Sequence, residues 1–178
     1  MSNPYFRFKQ FTVWHDRCAM KVGTDGVLIG AWCDVDACRR ILDVGCGTGL
    51  ISLMIAQRTS DRTMIEGVEI DAVAAEQAAE NTDRSPWKNR LRIHTSDFLD
   101  FATSATVRYD HIVSNPPYIE SDEILTLMPE VRDYEPRLAL DGSVDGLFFY
   151  RRIIKEAPKY LKKNGYLFFE IGCEQADA

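Results

Sequence analysis

Ser114-Asn115-Pro116-Pro117-Tyr118, at the end of the short apolar run Tyr109 to Val113, combines residue types with a specific chemical use. The Asn115 amide and the rigid Pro116 backbone can together accept both hydrogens of a planar amino group, while the Tyr118 ring covers its flat face. An adenine or carboxamide nitrogen is a poor nucleophile because its lone pair is delocalised. Accepting its hydrogens from one side raises its electron density, so the arrangement suits methylation of an NH2 nitrogen by a sulfonium donor. Such a reaction needs alignment and electrostatic preorganisation more than acid–base catalysis. An isolated Asn-Pro-Pro would read as a proline turn, so its meaning depends on what lies beside it.

A second group of residues supplies a binding loop. Asp43-Val44-Gly45-Cys46-Gly47-Thr48-Gly49 sits at a strand-to-helix junction, where glycines let the backbone turn tightly and approach a ligand. The Gly-x-Gly-x-Gly spacing is one residue shorter than the dinucleotide fingerprint, and no Gly-Lys-Ser/Thr follows, which disfavours pyrophosphate and nucleoside triphosphate. Glu69 ends the next strand, where a carboxylate can accept from both hydroxyls of a ribose. Asp97 follows a third strand and can accept from an adenine amino group while Phe98 packs on the base. Asp71 reads as a helix N-cap. Thr24 and Asp25 precede an apolar helical run and read either as caps or as contacts covering the sulfonium end of the cofactor.

Parallel strands and crossovers are required to bring these motifs together. The pattern predicts strands over Ile41–Val44, Met64–Ile70, Leu91–Thr95, Tyr109–Ser114 and Tyr166–Ile171. Helices are predicted over Leu50–Arg58, Ala72–Asn81 and Leu147–Leu161, with Asn164-Gly165 as the stop signal of the last. This alternation is the signature of βαβ units and gives an α/β fold, an open doubly wound, mainly parallel sheet with its ligands at the carboxyl ends of the strands. Residues 120–145 read as a long loop with one short helix, and Tyr5 to Phe11 reads as a strand whose aromatic and basic residues could also clamp a nucleic acid.

Length and composition narrow the class. The 178 residues suit one domain, 1–178, with 1–40 as an amino-terminal cap segment and 41–178 as the cofactor-binding sheet. No apolar run reaches membrane-spanning length and the amino terminus has no secretory pattern, so a cytoplasmic location is expected. The five cysteines form no Cys-x-x-Cys pair and have no His at ligand spacing, which argues against a metal site and for free thiols. A net charge of −6 argues against a large nucleic-acid footprint, yet residues 1–40 carry six Lys/Arg against four Asp/Glu. A polyanion would meet that part first.

Taken together, these residues resemble the class I S-adenosyl-L-methionine-dependent methyltransferases of the Asn-Pro-Pro-Tyr type. Residues 5–118 are similar to the tRNA(Val) adenine-N6 methyltransferases through Phe8-Lys9-Gln10-Phe11, the string His15 to Gly26, Gly30-Ala31-Trp32, Ala56-Gln57-Arg58 and Ser85-Pro86-Trp87. Residues 115–178 resemble the release-factor glutamine-N5 methyltransferases through Leu127 to Gly142, Asp145-Gly146-Leu147 and Glu170-Ile171-Gly172. The resemblance implies a Rossmann-like sheet lacking the last two strands of its class, with S-adenosyl-L-methionine as cofactor. It implies tRNA as the favoured partner, a peptide chain release factor as the alternative, and a chimera or inactive fragment as a further alternative. Asn115, Pro116 and Tyr118 would be catalytic. Thr24, Asp25, Asp43, Gly45, Gly47, Gly49, Glu69, Asp97, Phe98 and Asn115 would hold the cofactor.

Overall fold

The structure is a computed structural model that describes residues 3–18, 20–104, 107–135 and 137–176; Ala19 and Pro136, within the resemblance strings, lie outside them. Five strands form one parallel sheet: β3 (Arg40–Val44), β4 (Met64–Glu69), β5 (Leu91–Thr95), β6 (Tyr109–Ser114) and β7 (Leu161–Phe169). Their order is β5-β4-β3-β6-β7. The chain therefore starts at the centre, winds out through β4 and β5, and returns to the other side of β3. The switch point between β3 and β6 is where loops leave in opposite directions and open a crevice.

Strand sequences explain why the sheet is buried on both faces. Ile41, Ile65, Leu91 and Val113 face α2 (Leu50–Arg58) and the amino-terminal elements, while Leu42, Val44, Val68 and Ile112 face the opposite layer. That second layer holds α4 (Phe98–Ser104) and α7 (Phe148–Glu156). Between α2 and α4 in the chain lies α3 (Ala72–Asp83), whose N-cap Asp71 accepts from the Ala74 N–H at 2.7 Å as the sequence leads one to expect.

The amino-terminal segment packs onto α2. Strands β1 (Tyr5–Arg7) and β2 (Thr12–Trp14) pair antiparallel, and α1 (Thr24–Trp32) follows. A Cβ on Gly30 would sit 2.9 Å from Met54 Cβ, and one on Gly26 would sit 3.0 Å from Leu50 Cδ2. Two glycines one turn apart thus let α1 approach α2 closely, which fixes Thr24 and Asp25 at the carboxyl rim of the sheet. Asn81 ties the hairpin to the glycine loop. Its amide donates to the carbonyls of Trp14 and Thr48 and accepts from the Trp14 N–H.

Four expectations are corrected. The helix expected over Leu147–Leu161 ends at Glu156 and passes into a 3-10 turn, because Pro158 has no N–H to continue it. Asn164-Gly165 does not stop that helix but lies inside β7, with Asn164 left-handed at φ 64°. It absorbs the register shift between Tyr109↔Leu161 and His111↔Tyr166. The aromatic strand also stops early: Phe8 and Phe11 stack at 4.5 Å and pack into the core, leaving only Tyr5, Phe6, Arg7 and Lys9 for an outside partner. The 120–145 loop is more ordered than expected, with a 3-10 turn at Glu123–Thr126 and short helices α5 (Pro129–Arg132) and α6 (Arg137–Leu140).

Candidate functional site

The glycine loop leaves β3 under tight backbone control. The N–H groups of Gly45 and Cys46 donate to the Val68 carbonyl at 2.8 and 3.1 Å, and the Gly49 N–H closes the turn on Cys46 at 2.8 Å. Cys46 turns inward, and Gly67 on β4 makes the room, since a Cβ there would lie 2.9 Å from Cys46 Sγ. Gly45 and Gly47 have φ of 69° and 53°, a region costly for side-chain-bearing residues. A Cβ on either would meet nothing within 4 Å, so both present bare backbone to open space. Gly49 differs: it is buried, and a Cβ there would lie 3.4 Å from Ala78 Cβ. Its place is in the packing of α2 on α3 and not on the open face.

Glu69 stands across from that loop. Its carboxylate accepts from the Gly47 N–H at 2.8 Å and the Asp71 N–H at 3.0 Å, which orients it at the rim with lone pairs to spare. Ile70 beside it is 60% exposed, an apolar side chain that could cover a flat base and that the sequence reading passed over. The backbone ladder continues from Glu69 to Ser96, placing Asp97 on the same rim. Asp97 Oδ1 accepts from the Leu99 N–H and from Arg152 of α7, a cation invisible from local sequence.

Phe98 and Asp43 are not on the binding face. Phe98 is buried in the α4–α7 layer with its ring edge-on to Tyr160, so it serves the core. Asp43 is fully buried; its Oδ2 accepts from the Ser52 N–H and hydroxyl, which pins α2 to β3. Its Oδ1 makes no hydrogen bond, and burial pushes the carboxyl up to about 7, with the Ser52 bonds opposing and Glu69 adding to the rise. Neither Thr24 nor Asp25 caps α1. Gly23 holds the N-cap position, and both residues are exposed in the first turn.

The Asn-Pro-Pro-Tyr turn adjoins the glycine loop directly. Val44 pairs with Ser114, and the Ser114 hydroxyl donates to the Val44 carbonyl at 2.7 Å. Asn115 and Gly45 are the next residues on neighbouring strands, which run about 4.8 Å apart. Beyond them, Ile119 bridges to Asp141, and Gln175 Nε2 donates to the Tyr118 carbonyl at 3.1 Å. The Tyr118 phenol is pushed up by burial and by Glu170, Asp25 and Cys173, so it stays protonated. Glu170 lies on the far side of Asn115, at a position to which its local sequence gives no role. It is recognisable only from the β6–β7 register.

Among the described residues no three His, Cys, Asp or Glu side chains gather as a metal site, and no helix is long and apolar enough to cross a membrane. The bare glycine backbone and the acceptor carboxylate of Glu69 fit a nucleoside cofactor.

Comparison with known proteins agrees with this geometry. Residues 25–131 match the methyltransferase small domain family. A Bacteroides thetaiotaomicron protein named tRNA1(Val) (adenine(37)-N6)-methyltransferase is 45% identical over 177 residues, covering 99% of this chain and 70% of the relative. An Escherichia coli protein of the same name is 57% identical over 115 residues, covering 65% of this chain and 47% of the relative. The chain thus spans about half the length of that second relative. The fold is also that of the O-methyltransferase TomG from Streptomyces achromogenes, solved in complex with SAM, with a TM-score of 0.55, 16% identity and coverage of 84% and 56% of the two chains. The family match takes in more than half of the sequence and the Bacteroides relative runs through both of its halves; the chain belongs to the methyltransferase small domain family, a family of S-adenosyl-L-methionine-dependent enzymes.

Proposed function

We propose that this protein methylates N6 of an adenine in tRNA, with residues 1–178 acting as one catalytic unit in the cytoplasm. The observation that carries this reading is the register between β3 and β6, which sets Asn115 beside Gly45. A glycine loop that would hold the cofactor and a turn that would hold the amino group are neighbours in this reading. The relatives named as tRNA1(Val) (adenine(37)-N6)-methyltransferases support adenine in tRNA as the acceptor.

S-adenosyl-L-methionine supplies an electrophilic methyl group on a sulfonium. The Gly45 and Gly47 backbone would approach it, Glu69 would accept from its ribose, and Asp97 from its adenine. Asp25, on the first turn of α1, would close over the loop, with Thr24 beside it. Asp43 and Gly49 support this face from below by fixing the start of α2. Asn115 and the Pro116 carbonyl would hold the two amino hydrogens in line, and the Tyr118 ring would stack on the base. Such positioning converts a bimolecular encounter into an oriented one, which lowers the barrier together with electrostatic preorganisation.

The test incubates the chain and methyl-labelled cofactor with unmodified tRNA and, separately, with unmodified peptide chain release factor. Label in tRNA, lost when the target adenine is replaced by guanine, is the expected result. Label in the release factor alone would assign the glutamine reaction, and label in neither would refute both.

A further inference from the structure

Asn115 and the Pro116 carbonyl can accept hydrogen bonds, but neither takes up a proton near neutrality, and Tyr118 stays protonated. Methylation of an amino nitrogen nevertheless releases a proton. The nitrogen lone pair forms the N–C bond as the C–S bond breaks onto sulfur, and one N–H proton must then leave so that a neutral methylamino group remains.

A carboxyl group with a buried, unpartnered oxygen lies beside this turn. The Glu170 N–H donates to the Ser114 carbonyl at 3.2 Å, so Glu170 continues β7 alongside Asn115 just as Gly45 does from β3. Asn115 thus has the cofactor loop on one side and a carboxyl group on the other. Neighbouring positions of a parallel sheet share a face. Ser114 and Phe169 are paired, with Phe169 packed into the α7 layer, so Asn115 and Glu170 fall one residue later on the α1 side, where Asp25 lies. The backbone of Glu170 is held: its carbonyl accepts from the Tyr150 hydroxyl at 2.9 Å, and the next turn is closed by Gln175 on Gly172. Its Oε2 atom is buried and makes no hydrogen bond.

We propose that Glu170 is the proton acceptor of this site, receiving the N–H proton that the amino nitrogen loses as it is methylated. This rests on the amino-methylation reading above. Burial, and after it the charge of Asp25, pushes the Glu170 carboxyl up to about 7. A group poised there is half ionised at neutral pH, where a general base is most effective. The ionisable groups facing it are Asp25 from α1, Tyr118 from the acceptor loop and Tyr150 from α7.

The experiment combines single-turnover methylation of unmodified tRNA from pH 5.5 to 9 with calorimetry of cofactor binding and carbon-13 NMR titration of the Glu170 carboxyl in the free protein. The wild-type rate is expected to rise with pH through an inflection near the value titrated for Glu170. E170Q is expected to lose about 10²-fold in the chemical step, to lose the inflection, and to bind cofactor as wild type does. D25N, at an exposed position, removes a neighbouring negative charge and is expected to move both the NMR and the rate inflection to lower pH; it keeps the test decisive if E170Q does not fold. An unchanged inflection in E170Q, a loss confined to cofactor affinity, or rate and NMR inflections that do not move together in D25N would overturn the assignment. Failure of the tRNA reading itself is distinguishable, since the wild-type protein would then label no tRNA at any pH.

Discussion

The two ends of the parallel sheet treat their carboxylates in opposite ways. At the amino end, Asp110 at the start of β6 accepts from the N–H groups of Arg39 and Arg40 and from Lys162 Nζ, all at 2.7–2.8 Å. Burial there is outweighed by those donors, and the carboxyl is held below its ordinary range. At the carboxyl end, Asp43 and Glu170 each leave one buried oxygen without a donor, and burial lifts both to about 7. One end spends its charges on joining β3, β6 and β7. The other satisfies Glu69 and Asp97 but leaves Asp43, beneath α2, and Glu170, beside the asparagine turn, each with one oxygen lacking a donor. A buried carboxyl oxygen without a donor costs stability, so Glu170, which adjoins the asparagine turn, is a candidate for a functional role, while Asp43 lies beneath α2 and off the open face.

The sharpest way to break this comparison is N115A. If the carboxyl rim is the reacting end, turnover should fall about 10²–10³-fold, as when one preorganised partner of a transition state is removed, while cofactor affinity measured by calorimetry stays near wild type. Unchanged turnover would dissolve the distinction between the two ends.

A smaller effect is expected from D43N, read in stability. The Asp43 carboxyl titrates higher in the folded protein than in the unfolded chain. Between those two values the folded state binds more protons, and the stability from this group, complete at acid pH, is lost as pH rises through about 7. Relative to wild type, D43N should therefore gain about 2–3 kcal/mol between pH 5 and pH 8. Denaturant unfolding at the two pH values measures this, and a variant that tracks wild type at both would place Asp43 outside the titrating set.

The smallest effect belongs to the amino end, with the opposite sign. D110N should cost about 1–2 kcal/mol at pH 7, at the lower end because the group is partly exposed. The Asp110 contribution is present above the ordinary carboxylate range and is lost as pH falls through its lowered value, so the D110N deficit should shrink on acidification. A deficit that grows there would mean that the two ends are not opposed after all.

Where sequence reading succeeded, the signal was local. Leu50–Arg58, Leu91–Thr95 and Tyr109–Ser114 form as their apolar spacing demands, and Asp71 caps α3 because an acidic side chain meets unpaired N–H groups there. Phe98, Gly49 and Asp43 were assigned to the binding face because they follow strands or sit within a loop motif. Whether such a residue faces a ligand or the core depends on the layer packed over it, and α4, α3 and α2 took these three inward. Asn164-Gly165 is a helix stop by composition, yet Pro158 had already ended the helix, and the left-handed residue went to the β7 irregularity.

The sequence by itself determined the parts: the parallel strands, the glycine turn after β3, the acidic end of β4 and the Asn-Pro-Pro-Tyr turn after β6. Each of these is dictated by side-chain type and short-range spacing. Only the tertiary structure decided which parts are neighbours, because strand order and register are set by packing between residues distant in the sequence, as Val44 is from Ser114 and Ser114 from Phe169. Those pairings placed Asn115 between Gly45 and Glu170, a neighbourhood that short-range spacing does not reveal.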